Sequence, residues 1–321
     1  GGIDFQRNGE TISDEGYETF LLADEASRWI KARDKDKPFF LYMPFIAPHT
    51  PLEAPDDLVQ KYNNLEDTRE LTRSVAIDRT RTLGGFRPSA RPIYAAVVDG
   101  LDQAIGKVLA TLANEGIEEE TIILFSSDNG GAAYAGGGAD NFPLRGGKGD
   151  TYEGGIRVPF FFLWKNNIDA KINTQNPISH LDIFPTLMDL LGDRSMEQSL
   201  DGISLLPFLM GDKIMEERSF FWHFPIYLQG YDIKNNENRD SLFRTRPGSV
   251  IRKGEWKLHY YFEDHGIELY NLKEDIGERN NLSETQTDKR KELIEDLKNW
   301  WYQTNAPIPT ALNPEYVSPN N

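Results

Sequence analysis

The 321-residue sequence is long enough to bury a core and to divide into a large and a smaller domain. Its 51 acidic against 35 basic residues, a net charge of −16, exclude the cationic groove that a nucleic-acid-binding surface needs. No apolar run reaches the ~20 residues of a membrane span, and the absence of cysteine removes both disulfides and thiolate metal sites.

The sequence opens at Gly1 without Met, signal peptide or lipobox, and its start is expected to be a cut rather than a natural N-terminus. From Thr11 to Lys35, apolar residues at Phe20, Leu21, Ala23, Ala26, Trp29 and Ile30 predict an amphipathic helix with Ser13 as its N-cap. Pro38 to Ala47, a short aromatic-rich apolar run, predicts a buried strand of a parallel sheet ending in the loop Pro48-His49-Thr50-Pro51. Arg91 to Gly116 predicts a helix stopped by its glycine, and Thr121 to Ser126 a second buried strand. This strand–helix–strand order implies right-handed crossovers in an α/β sheet.

Ser127 to Tyr152 is too rich in glycine to be regular throughout. Ile156 to Trp164 returns to strand, and Asp182 to Gly192 predicts a helix entered through Pro185. Beyond Gly211 the character changes to FFWHFP, SVIRKGEWKLHYYF and IELYNL, which predict antiparallel strands, followed by a helix over Lys289 to Trp301. The expected division is therefore an α/β domain over 1–211 and an α+β subdomain over 212–321.

Ligands of open α/β sheets bind beyond the carboxyl ends of strands, so residues just past each predicted strand carry weight. Asp128-Asn129-Gly130-Gly131 follows TIILFSS and offers a carboxylate and a neutral carbonyl oxygen, both suited to a hard cation such as Ca²⁺. Taken alone, the same four residues also read as a plain turn. Gly146-Gly147-Lys148-Gly149 holds one compact ammonium between glycines, a natural partner for a sulfate or phosphate oxygen. His49, in a loop at a strand end, could donate to an anionic oxygen or protonate a leaving group, or could be only a hydrogen-bonded loop residue.

In order along the chain, KPFFLYMPFIAPHTPLEAP, ILFSSDNGG, PLRGGKGDTYEGGIRVPFF, SHLDIFPTLMDLLG, IRKGEWKL and ELYNL together resemble the type I, formylglycine-dependent sulfatases of the arylsulfatase family. The resemblance covers essentially the whole chain. It implies an alkaline-phosphatase-like α/β domain that hydrolyses sulfate monoesters. It further implies that Asp128 and Asn129 ligate Ca²⁺, that Lys148 contacts the sulfate, and that His49 touches the sulfate or the leaving oxygen. Trp222-His223-Phe224-Pro225 is similar to a segment of carbohydrate-specific bacterial sulfatases, where rings can stack on sugars, which makes His223 a candidate substrate contact. A periplasmic or secreted location is implied by the same resemblance.

One departure is chemical. The family's nucleophile, a formylglycine made from the first residue of a Cys- or Ser-x-Pro-x-Arg motif, has no counterpart here, and Phe86 to Arg91 is only superficially alike. The family's N-terminal pair of metal-binding aspartates is also missing. The expectation is a parent protein that removes sulfate from a sulfated carbohydrate or aryl sulfate, and a 321-residue chain that is inactive by itself. Two rival readings stay open: a non-catalytic binder of sulfated glycans, and a phosphodiesterase or phosphonate hydrolase of the same superfamily.

Overall fold

The structure, a computed structural model, describes residues 5–65, 90–133, 138–171, 176–192, 199–211, 214–229, 243–311 and 313–314. It forms two compact units, one of 1–121, 129–141 and 231–236, the other of 122–128, 142–230 and 237–321. The boundary expected at residue 211 falls inside the second unit. The superficially nucleophile-like segment 86–91 lies largely outside the described residues.

In the first unit a two-residue hairpin, β1 (Gln6–Arg7) with β2 (Glu10–Thr11), precedes α1 (Glu18–Ala32). The expected start at Thr11 and the Ser13 cap are corrected: residues 10 and 11 pair as strand, and the helix begins after Tyr17 without a side-chain cap. Buried Thr19, Ala23, Ala26, Ser27 and Ile30 line one face of α1. These side chains are mostly small, so the long helix α3 (Ala90–Asn114) approaches closely, and Thr111 Oγ1 donates to Ser27 Oγ across the contact (3.0 Å). Short α2 (Asp56–Lys61) adds Leu58 and Val59 to a core with Leu52, Ile93, Ala96 and Val97.

Pro38 to Ala47 is not a strand in the structure. Phe40, Tyr42 and Ile46 are exposed, and no strand among the described residues pairs with the segment. A strand's backbone needs neighbours for its N–H and C=O groups, and an apolar run supplies none of these by itself.

In the second unit β3 (Ile123–Ser126) pairs with β4 (Phe160–Leu163), with α4 (Glu153–Ile156) between them in sequence. The pairing is antiparallel. Helix α5 (Ile183–Leu190) is entered through Ser179, whose hydroxyl accepts the Leu181 N–H while Asp182 reciprocates to the Ser179 N–H (2.8 Å), a capping box. The Asp182 carboxylate is held further by Arg218 Nη1 (2.7 Å) and by the Ile203 N–H (3.0 Å). Short α6 (Leu206–Leu209) follows.

The C-terminal part is a four-stranded antiparallel sheet in the order β10-β9-β8-β5, where β5 is Ser219–Phe224, β8 Gly248–Lys253, β9 Trp256–Tyr261 and β10 Ile267–Asn271. A two-stranded pair, β6 (Leu228–Gln229) with β7 (Phe243–Thr245), lies between β5 and β8 in sequence. Helix α7 (Thr287–Thr304) packs on one face through fully buried Leu293 and Leu297 against Ile251, Leu258 and Leu269. Strand alternation sends the intervening residues Arg252, Lys257, His259, Tyr261, Glu268 and Tyr270 to the other face. No helix among the described residues is long and apolar enough to cross a membrane.

Candidate functional site

Lys148 sits in a tight turn. Asp150 N–H donates back to the Gly147 carbonyl (2.9 Å), which makes Lys148 and Gly149 the central pair of a four-residue turn. Gly149 has φ of +92°, the conformation a type II turn demands at that place and one that L side chains resist. The Asp150 carboxylate also accepts the Gly147 N–H (2.9 Å), so the turn is tied twice. Just downstream, a Cβ on Gly154 would collide with the carbonyl oxygens of Arg145 and Gly146, and one on Gly155 with those of Gly147 and Asp150. The Gly-Gly pair is therefore what lets α4 press against the lysine turn.

The loop around Lys148 rests on the polar face of the C-terminal sheet. Lys257, fully buried in β9, reaches Glu153 Oε1 and Glu278 Oε1, each at 3.0 Å. Arg252 Nη1 (3.3 Å) and Arg157 Nη1 (3.6 Å) approach Glu153 Oε2. His259 Nε2 meets Glu278 Oε1 at 3.1 Å. On the upstream side the Arg145 guanidinium lies 3.9 Å over the Tyr152 ring and donates to Tyr270 Oη and to the Glu278 carbonyl, both at 3.0 Å. Tyr152 and Tyr270 hydroxyls donate to Glu268 Oε2 (2.7 and 3.1 Å).

Charges this deep survive only when paired. Burial pushes the Glu278 carboxyl up, but the Lys257 ammonium and the His259 hydrogen bond outweigh it and hold the group down at about 2. Burial likewise opposes the Arg145 charge, and the neighbouring Tyr152, Tyr270 and Glu268 reverse the balance and raise its affinity for the proton. Glu278 also has φ of +53°, a left-handed conformation that costs a non-glycine residue roughly 1–2 kcal/mol.

The other candidates divide between the units. In the second, Asp128 follows β3. His180 Nε2 lies 2.9 Å from the Ser127 carbonyl and 3.0 Å from Ser126 Oγ, at the same strand end. A carbonyl can only accept, so Nε2 carries the proton. In the first unit, Asn129 Nδ2 donates to the Gly130 carbonyl (3.1 Å), committing the amide nitrogen to the turn. His49 Nδ1 lies 2.6 Å from the Thr50 carbonyl, which fixes the proton on Nδ1.

His223 is not brought together with Lys148. It lies in β5 on the α7 side of the sheet, opposite the face that carries the lysine loop. Its ring is held at both nitrogens. Nε2 donates to the Pro307 carbonyl (3.0 Å), and Nδ1 accepts from Ser249 Oγ (2.6 Å), which in turn accepts from Trp301 Nε1 (2.9 Å).

For a metal, Asp128 and Asn129 offer hard oxygen donors of the kind calcium takes. Two side chains are few against the ~6–8 oxygens of a calcium shell. Among the described residues no cluster of three or more His, Asp or Glu could hold an ion.

The sulfatase family profile matches residues 4–193, more than half of the chain. The chain belongs to the sulfatase family. A second profile, the C-terminal part of N-sulphoglucosamine sulphohydrolase, matches residues 147–306, so the lysine loop and the sheet beneath it fall within one match. The chain is 33% identical over 314 residues to a sulfatase of Formosa agariphila, covering 90% of this chain and 51% of that protein. It is 30% identical over 312 residues to an uncharacterised sulfatase of Escherichia coli, covering 89% and 51%. The chain thus spans about half the length of the curated relatives it matches.

Among solved structures, Ps i-CgsB in complex with k-i-k-neocarrahexaose aligns with a TM-score of 0.73 and 28% identity over 96% of this chain and 59% of that one. A phosphonate monoester hydrolase of Agrobacterium radiobacter aligns with a TM-score of 0.63 and 22% identity over 89% and 61%, a likeness of fold alone. The fold of this chain is alkaline-phosphatase-like, mixed α/β with a C-terminal subdomain.

Proposed function

We propose that the full-length natural polypeptide hydrolyses sulfate monoesters on a carbohydrate, and that the 321 residues supply the part of the site that holds the sulfate. The observation that carries this reading is the turn that fixes the Lys148 backbone, within a chain that matches the sulfatase profile. Sulfated carbohydrate is favoured over an aryl sulfate because solved relatives are described with sugars, one with k-i-k-neocarrahexaose and one with its substrate D-glucosamine-2-N,6-O-disulfate.

The roles follow from chemistry. The Lys148 ammonium neutralises a sulfuryl oxygen and holds it as charge builds in the transition state. His49, its Nδ1 proton held by the Thr50 carbonyl, acts as the imidazolium and gives its Nε2 proton to the departing sugar oxygen. Asp128 and Asn129 would contribute oxygen ligands to calcium, which would supply positive charge to offset that of the sulfate. The nucleophile, a formylglycine in this family, lies on sequence outside these residues, because they contain no cysteine and no Ser-x-Pro-x-Arg motif. His223 would reach a sugar only by exchanging its Pro307 or Ser249 hydrogen bond. A periplasmic or secreted location is part of the same proposal, on the family resemblance.

The test is hydrolysis of p-nitrophenyl sulfate and sulfated oligosaccharides by the full-length polypeptide and by the 321-residue chain, beside the corresponding phosphate ester. Sulfate release by the former and none by the latter is expected. Preferential phosphate ester hydrolysis, or turnover by the isolated chain, would overturn the assignment.

A further inference from the structure

Glu278 grips both sides of the lysine turn. Its carbonyl oxygen accepts from Arg145 Nη1 (3.0 Å), three residues before Lys148. Its Oε2 accepts the Glu153 backbone N–H (2.6 Å), five residues after Lys148. Its Oε1 is anchored to the sheet through Lys257 Nζ and His259 Nε2. The side chain is fully buried, and the backbone is held in the left-handed region at this residue.

Between these grips the chain has little freedom. Asp150 closes the turn onto Gly147 by two hydrogen bonds, and Gly154 N–H donates to the Arg145 carbonyl (2.8 Å), so the segment from 145 to 154 is a closed loop. A loop tied at its neck and clamped at both ends has its tip placed by the clamp. The tip is Lys148.

We propose that Glu278 is a positioning residue for Lys148, through which the C-terminal sheet sets where the lysine meets a substrate oxyanion. This rests on the reading of Lys148 as the sulfate-holding cation. The sheet is then part of the catalytic apparatus although none of its residues need touch substrate: shifting the clamp shifts the ammonium, and contacts made in a transition state tolerate little displacement.

Replacing Glu278 by Gln keeps the size but sets an amide donor in place of one carboxylate oxygen, removing either the Glu153 grip or the Lys257 and His259 anchor. The test is a double-mutant cycle in the full-length polypeptide with p-nitrophenyl sulfate, comparing wild type, Lys148→Ala, Glu278→Gln and the double variant. Glu278→Gln is expected to lower kcat/KM on the order of ten- to a hundredfold with Lys148 present, and by less than about twofold once Lys148 is alanine. An equal loss in both backgrounds would overturn the proposal, since a merely structural residue acts regardless of Lys148. If Lys148→Ala alone leaves turnover unchanged, the sulfate role of Lys148 fails first and the proposal with it.

Amide hydrogen exchange on the 321-residue chain serves independently of turnover and of this variant's stability, with Arg145→Met as a second variant at the opposite grip. Both variants are expected to speed exchange at Gly147 to Asp150 while β8 to β10 stay protected. Unchanged exchange in that turn, or uniform loss across the sheet, would contradict it.

Discussion

At the scale of single residues, the informative ones are charges that local sequence presents as ordinary. Lys257 and His259 in WKLHYY read as the solvated face of an alternating strand, and Glu278 in a turn reads as surface charge. All three are buried, because the face they share is covered by the loop from Arg145 to Arg157. Lys148, by contrast, stands out in the sequence by its flanking glycines, and the structure places it in a glycine-closed turn. The Glu278 carboxyl, held below its ordinary 4.5 to about 2, contributes stability that is complete above pH ~4.5 and drains away as the pH falls toward 2. Urea unfolding between pH 6 and pH 2.5 should therefore show a shallower acid loss in Glu278→Gln than in the wild type; identical slopes would mean the carboxyl is not held down. Gly154→Ala should destabilise the chain by a few kcal/mol, about 1–3 by the usual cost of overpacking, because its Cβ would meet the Arg145 and Gly146 carbonyl oxygens. A thermal midpoint within a degree of wild type would argue against that close approach.

At the scale of elements, periodicity found what local contacts build and missed what distant partners decide. The helix over Ala90–Asn114, its stop before Gly116, the C-terminal helix and the antiparallel hairpins were all readable. The segment from Pro38 to Ala47 and the direction of pairing between β3 and β4 were not, since strand identity and orientation rest on neighbours remote in sequence. Ser13 failed as a cap because the hairpin claims Thr11, leaving the helix to start at Glu18. In the C-terminal sheet, Leu297 joins α7 to Ile251, Leu258 and Leu269. Leu297→Ala should cost about 2–5 kcal/mol in unfolding free energy, measured by urea titration. A cost under ~1 kcal/mol would show that the helix is not seated on the sheet as described.

At the scale of the whole chain, each unit carries uncovered apolar side chains. Phe40 and Tyr42 in the first are 76% and 75% exposed, and Phe161 and Ile214 in the second are 63% and 91%. Large exposed apolar surface mediates association. The 321-residue chain should accordingly bind the dye ANS and associate as its concentration rises; a monodisperse chain without dye binding would contradict this. Family and fold were readable from short motifs in a fixed order, and the sulfatase profile bears them out. The clamp beneath Lys148 was not readable, because its members are separated by up to 133 residues.

Lys148 is, in this proposal, the cation that meets the sulfate. A crystal structure of the full-length polypeptide with a sulfated sugar bound tests it most directly. The expected result is Lys148 Nζ at hydrogen-bonding distance, ~2.7–3.2 Å, from a sulfate oxygen, with the Asp128 carboxylate on the same side of the molecule and Glu278 still holding Arg145 and Glu153. A sulfate bound elsewhere, with Lys148 and Asp128 on opposite sides of the molecule, would contradict it.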